Sequence, residues 1–264
     1  TKAVKITGAT ADLTNTLVSS SSSVTAGTAL VTVSDAAFAS SSTAIAATAL
    51  SGIGGKTTGA VTLANKVRIQ GSQSEVATAL VGGSSVVASK ANTEARVTTA
   101  VSVNQGEEIA GVNNVQGIFA SGLSDSLTSL ASGGNSTAKL NTIVGDDGDV
   151  AITVSDSAFT TSSATLTAAD LSAVGGATTG TVTVTNAVKI SGDTSQLTNT
   201  LVSSSSSVTA GSALVTVSDD GFTTSSATIA ATTLSNIGGK TSGAVTVTKA
   251  VKITGATADL TNTL

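Results

Sequence analysis

Thr1–Leu17 reads TKAVKITGATADLTNTL, and the same seventeen residues return at Thr248–Leu264. Between them, Ala187–Leu201 (AVKISGDTSQLTNTL) is a close copy and Lys66–Leu80 (KVRIQGSQSEVATAL) a more diverged one. Val4, Val67, Val188 and Val251 mark one equivalent position, 63, 121 and 63 residues apart. Self-similarity at a fixed period is the signature of repeat architectures, in which each unit buries its apolar face against a neighbour. Because the opening segment returns after 247 residues, the chain is expected to be a window on a longer array in a very large protein. Thr1 in place of an initiating Met points to a processed or trimmed start.

Two further elements keep the same beat. ALVTVSD at Ala29, VAITVSD at Val150 and ALVTVSD at Ala213 are each followed by a phenylalanine (Phe38, Phe159, Phe222) and a Ser/Thr tract. ALSGIGGKTTGAVTL at Ala49, DLSAVGGATTGTVTV at Asp170 and TLSNIGGKTSGAVTV at Thr233 form the other. The organisation expected from these beats is repeat unit 1 at 1–65, a diverged region at 66–148, a partial unit at 149–186, a further unit at 187–249 and the start of the next at 250–264.

In Thr179–Gly192 (TGTVTVTNAVKISG), valine alternates with threonine, which predicts a half-buried strand with Val182 and Val184 on one face and Thr181, Thr183 and Thr185 on the other. Leu13 and Leu17 lie four apart behind Thr10, predicting a short helix that Thr10 caps. Ala230, Leu234 and Ile237 are spaced to share a helical face, and Gly238–Gly239 follow where a left-handed C-cap would fall. The fold class expected is therefore a β-rich repeat protein, a solenoid of stacked strand-plus-short-helix coils. A chain of small β-sandwich modules is the alternative, although a 63-residue unit is short for about 100 residues and seven strands.

Composition supports a thin core. The 264 residues include no Cys, Met, Trp, Tyr, His or Pro and four Phe, and the 40% that are hydrophobic are nearly all small aliphatics. Charged residues make up 11%, too few for the usual disordered chain. The net charge of −4, with twelve dispersed Lys and Arg, argues against a nucleic-acid partner. The longest apolar runs fall far short of the roughly 20 residues that span a bilayer, so no transmembrane segment is expected.

Catalytic motifs are weak. GGKTTG at Gly54–Gly59 lacks the upstream glycine of a phosphate-binding loop, because Leu50 holds that position, and Ala177 replaces the lysine in another copy. Without His or Cys the common triads and zinc sites cannot be built. Ser136-x-x-Lys139 lacks the partners of a penicillin-binding-type site. Asp35, Asp156 and Asp219 in VSD read as turn formers that bond nearby backbone N–H groups. No enzyme is expected. Asp146, Asp147 and Asp149 in GDDGD are the one cluster with ligand character, suited to a structural Ca²⁺; a solvated acidic turn is the other reading. No other cofactor is expected. From Gly71 to Gly148 the pattern loosens, reading either as a unit with an insertion or neighbour-contact surface, or as a drifted repeat.

AVKITGATADL, LVTVSD and LSxIGGKTTGAVTV together resemble the long bacterial cell-surface β-strand-repeat proteins, including very large ones of marine cyanobacteria. The resemblance covers about two thirds of the chain and fades between Gly71 and Gly148. It implies an extracellular or cell-surface location and an extended structural or adhesive role, with no catalytic residues to carry over. The function expected is that of a structural protein of an extracellular fibre, filament or surface layer, self-associating into filaments or layers. One alternative is an adhesin stalk that presents a separate tip to a glycan or cell surface. Another is an ice- or surface-binding protein using threonine faces, against which Val61-Thr62-Leu63-Ala64 and Val245-Thr246-Val247-Thr248 break the Thr-x-Thr array.

Overall fold

Alternating valine and threonine dictate the sheets seen in a computed structural model, which describes residues 4–39, 44–82, 86–87, 91, 93–161, 165–223 and 228–263. Residues 1–3 of the opening repeat, the Ser/Thr tracts at 40–43, 162–164 and 224–227, and residue 264 lie outside them. In the strand Leu30–Val33, Val31 and Val33 are fully buried while Thr32 points outward. This strand lies parallel between Lys5–Gly8, with Ile6 opposite Val31 and Thr7 opposite Thr32, and Val61–Leu63, with Val31 opposite Val61 and Thr32 opposite Thr62. Each pairing thus stacks aliphatic on aliphatic inside and hydroxyl on hydroxyl outside, and a slip of one residue would invert both columns.

The chain divides into two compact units, 1–122 with 145–147 and 123–144 with 148–264. The first holds two four-stranded parallel sheets. One runs Lys5–Gly8, Leu30–Val33, Val61–Leu63, Val86–Val87; the other runs Ile45–Ala46, Arg68–Gly71, Thr93–Val97, Val115–Phe119. The second unit holds a parallel sheet of Leu123–Asp125, Ile152–Val154, Val182–Val184 and Val208–Thr209, and another of Leu166–Thr167, Lys189–Gly192, Leu214–Val217 and Val245–Val247. It adds a parallel pair, Ile229–Ala230 with Ile253–Thr254, and a short antiparallel hairpin, Ala131–Ser132 with Asn135–Ser136. That hairpin turns through Gly133 and Gly134, both at positive φ, which glycine adopts without the clash a Cβ would bring.

The expectation of a β-rich solenoid of stacked strand-plus-short-helix coils is overturned, and so is the alternative of β-sandwich modules. The described residues form a mixed α/β structure with ten α-helices and several small parallel sheets, and no solenoid is seen among them. The physical reason is length. Among the described residues no strand exceeds five residues, and each sheet holds at most four strands. The GIGG-type stretches form helices of eight to ten residues, Ala47–Gly54, Ala168–Ala177 and Ala231–Gly238, and carry much of the core themselves. Ala168, Leu171 and Val174 are fully buried along one such face. Sandwiches fail because parallel neighbours need crossovers, which these helices supply.

Local expectations fare unevenly. Val182 and Val184 are buried with Thr181, Thr183 and Thr185 exposed, as alternation predicts. Ala230 instead ends a strand and precedes the helix, so Ala231 takes its place in the buried row with Leu234 and Ile237. Gly239 closes that helix at φ −66°, a right-handed conformation and not a left-handed cap. The Leu13–Leu17 helix forms, but after Leu13 it widens into a π-helix over Thr14–Val18, repeated at Thr198–Val202.

Candidate functional site

The VSD aspartates act at long range. The Asp35 carboxylate accepts the backbone N–H of Thr10 at 2.8 Å and its hydroxyl at 2.6 Å, from 25 residues away. Asp219 does the same for Thr194, and Asp156 accepts the N–H of Leu127 at 2.7 Å. These are carboxylates satisfying orphan N–H groups at helix starts, where the helix dipole also favours negative charge. The turn-former reading is corrected accordingly, and Thr10 is the capped residue, not the cap.

The Thr of GGxTxG is a second long-range lock. Thr178, 4% exposed, donates to the Val150 carbonyl at 2.8 Å and accepts the Gly180 N–H at 2.9 Å. Thr57 and Thr241 repeat this with Ala29 and Ala213. The motif therefore ties helix end to the strand entry 28 residues upstream, and its lysine has no part in that tie. Each phenylalanine after VSD is a shelf for a cation thirty residues on: the Arg68 guanidinium lies 3.9 Å from the Phe38 ring centre, Lys189 5.4 Å from Phe159, and Lys252 5.9 Å from Phe222. Arg68 also pairs with Glu94 at 2.6 Å on the adjacent strand. Sequence reading missed these shelves, although the constant spacing from Phe38 to Arg68 and Phe159 to Lys189 is visible in the letters.

The acidic cluster is divided. Asp146 and Asp147 belong to the first unit, at the end of the helix Ala138–Asp146, and Asp149 is exposed in the second. Asp146 accepts the N–H of Gly117 at 2.8 Å, and buried Asp147 that of Phe119 at 2.6 Å. These are the outer N–H groups of the strand Val115–Phe119, whose other edge pairs with Thr93–Val97. Two carboxylates thus close a sheet edge in place of another strand. Burial pushes the Asp146 carboxyl above its usual range, with the Gly117 N–H opposing in part. An open groove of about 480 Å³ lies beside it, lined by Ala91, Asn114, Val115, Gln116, Gly145 and Asp146. Among the described residues no group of three or more His, Cys, Asp or Glu is placed to hold a metal ion.

Val245–Val247 and Ile253–Thr254 each pair on one side only among the described residues, with Leu214–Val217 and Ile229–Ala230 respectively. Their equivalents one repeat earlier, Val182–Val184 and Lys189–Gly192, pair on both sides. Burial follows pairing. Val182 and Ile190 are fully buried, whereas Val245, Val247 and Ile253 are half-buried, and they line a groove of about 430 Å³ with Leu234, Gly238 and Asn262.

The outer face carries hydroxyl rows that single strands did not reveal. Thr7, Thr32 and Thr62 are in register across one sheet, Ser124, Thr153, Thr183 and Thr209 across another, and Ser191, Thr216 and Thr246 across a third. No helix among the described residues is long and apolar enough to cross a membrane. Comparison of the chain with known protein families, with characterised proteins and with solved structures finds no match, so function rests on this geometry.

Proposed function

We propose that the chain is a structural, self-associating part of an extracellular fibre, filament or surface layer. The observation that carries this is the recurrence of one short parallel register, Ile6 on Val31 on Val61 in one sheet and Ile190 on Val215 on Val245 in another, so that successive copies of the same sequence elements stack aliphatic on aliphatic. A parallel register of this kind accepts a further strand of the same pattern wherever its edge is not covered. Asp146 and Asp147 cover one such edge, along Val115–Phe119. The surface location is supported by the resemblance to bacterial cell-surface β-strand-repeat proteins, and by an outer face dressed in Ser and Thr in place of charge. Sedimentation velocity over a rising concentration series, followed by electron microscopy of the associated fraction, tests the reading. Concentration-dependent growth into filaments or sheets is expected; a monomer at every concentration would sink it. Labelling of intact cells with an antibody to the chain tests the location.

The hydroxyl rows favour a second reading, contact with an ordered surface such as ice or a crystalline glycan. Each sheet offers one outward column at the roughly 4.8 Å spacing of paired strands. Thermal hysteresis in a freezing assay is its test, and its absence removes the ice form of the idea.

A further inference from the structure

One sheet of the first unit departs from the hydroxyl dressing of the others. In the second unit, Ser191, Thr216 and Thr246 form one outward row across three paired strands. Arg68–Gly71 is the copy of Lys189–Gly192, and Gln70 stands there where Ser191 stands in the copy. The row that continues from it reads Gln70, Arg96, Ile118, and the row beside it reads Arg68, Glu94, Gln116. All six point away from the core, since Ile69, Ala95 and Gly117 between them are buried.

The chain has ten lysines and two arginines, and both arginines lie on this face, on adjacent strands. The choice matters, because a guanidinium is a planar fork that matches the two oxygens of a carboxylate, whereas an ammonium is a point charge. Arg68 shows the fork in use. Its Nε and Nη2 donate to the two carboxylate oxygens of Glu94 at 2.6 and 3.1 Å, and its guanidinium lies 3.9 Å from the Phe38 ring centre. Arg96 is half-buried, and its guanidinium has no hydrogen-bond or ion-pair partner among the described residues. Glu94, two residues before it, is taken by Arg68, and Asp146 at the sheet edge is taken by the Gly117 N–H. On these two rows two cations therefore stand against one acid, in a chain whose net charge is −4. The exposed Gln70 amide, also without a partner among the described residues, lies beside Arg96 on a strand about 4.8 Å away.

We propose that this face binds an acidic polysaccharide, with the Arg96 guanidinium taking a sugar carboxylate in the two-pronged manner in which Arg68 takes Glu94. The Gln70 amide, which both donates and accepts, suits a neighbouring sugar hydroxyl, which does the same. Gln116 gives its amide nitrogen to the Asp146 carbonyl at 3.0 Å and keeps its own carbonyl oxygen to accept from another hydroxyl. Charge complementarity selects the carboxylate, and the flanking amides select a hydroxyl-rich chain to carry it. Ser191 and Thr216, at the matching positions of the second unit, are uncharged, so that sheet does not repeat the site. This inference goes beyond self-association and does not depend on it.

Affinity electrophoresis of the full chain in native gels containing polygalacturonate, dextran sulfate or neutral dextran is the test, with Arg96→Ala, Arg96→Lys and Lys56→Ala run beside the parent. Far-UV circular dichroism melts check that each variant folds; if Arg96→Ala melts lower, Arg96→Lys decides. The parent is expected to be retarded by polygalacturonate and not by dextran. Arg96→Ala should weaken that retardation about tenfold, and Arg96→Lys, which keeps the charge and loses the fork, about threefold. Lys56→Ala removes an equal charge from an exposed position of the same unit and should bind as the parent does. Equal losses in Lys56→Ala and Arg96→Ala would reduce the binding to net charge and overturn the site. Retardation by dextran sulfate alone would overturn the carboxylate assignment. A parent retarded in no gel would overturn the polysaccharide, and weaker self-association of Arg96→Ala in that case would assign the guanidinium to a second copy of the chain. A parent that stays monomeric and still binds polygalacturonate would leave this inference standing and remove self-association alone.

Discussion

Thr178 shows how much one hydroxyl holds at the residue scale. It donates to Val150 and accepts from Gly180 while almost fully buried. Thr178→Val keeps the shape and strands both backbone groups, at a cost of about 1–3 kcal/mol in urea titration. Thr179→Val on the exposed neighbour should stay within about 0.5 kcal/mol. The two acids with shifted titration differ in sign. Asp146 is raised by burial, so its contribution is fully present below the unfolded value and is lost as pH rises through the folded one. Asp146→Asn, which still offers an oxygen to Gly117, should therefore match the parent in acid and equal or exceed it at neutral pH in urea midpoints. Glu75 is lowered by the Ser72 N–H and hydroxyl, so its contribution is present above the unfolded value and is lost as pH falls through the folded one. Glu75→Gln should remove that acid sensitivity and keep the capping box, as Gln105 and Gln196 do with Ser102 and Asp193.

At the scale of elements, two glycines four residues apart behave oppositely. A Cβ at Gly180 would overlap the carbonyls of Asp149 and Val150, backbone atoms that cannot yield, whereas at Gly176, inside a helix, it meets nothing within 4 Å among the described residues. Gly180→Ala should cost about 3 kcal/mol, and Gly176→Ala should stabilise by about 0.5–1 kcal/mol, both read by chemical denaturation. The strands were legible because alternation is local: Val182-Thr183-Val184 states its two faces in three letters. So was the helix over Leu234 and Ile237, apart from a one-residue error at Ala230. What lay hidden depends on residues 25 to 30 positions apart. The partner of Asp35 is Thr10, that of Phe38 is Arg68, and that of Thr178 is Val150. Propensity carries no such information. The expected solenoid failed for a related reason: recurrence predicts that neighbours bury each other, but whether their ladders run on or break into small sheets is decided by strand length. For Asp146 and Asp147, likewise, the N–H groups of Gly117 and Phe119 that they accept lie nearly thirty residues upstream.

For the whole molecule, association and stability are one equilibrium. If only folded chains bind each other, mass action stabilises the folded state as concentration rises, by a tenfold-dependent increment of about 1.4 kcal/mol at most. The melting temperature, followed by far-UV circular dichroism because the chain has no Trp or Tyr, should therefore climb with protein concentration. Charge sets how steeply. A chain of net charge −4 repels its copies weakly at neutral pH, and that repulsion vanishes near its isoelectric point of about 4.7. The concentration dependence should accordingly steepen from pH 7 toward that point, and added salt at pH 7, by screening, should have the same sign of effect. A melting temperature that stays flat across that concentration range would show that the chain takes no partner from solution.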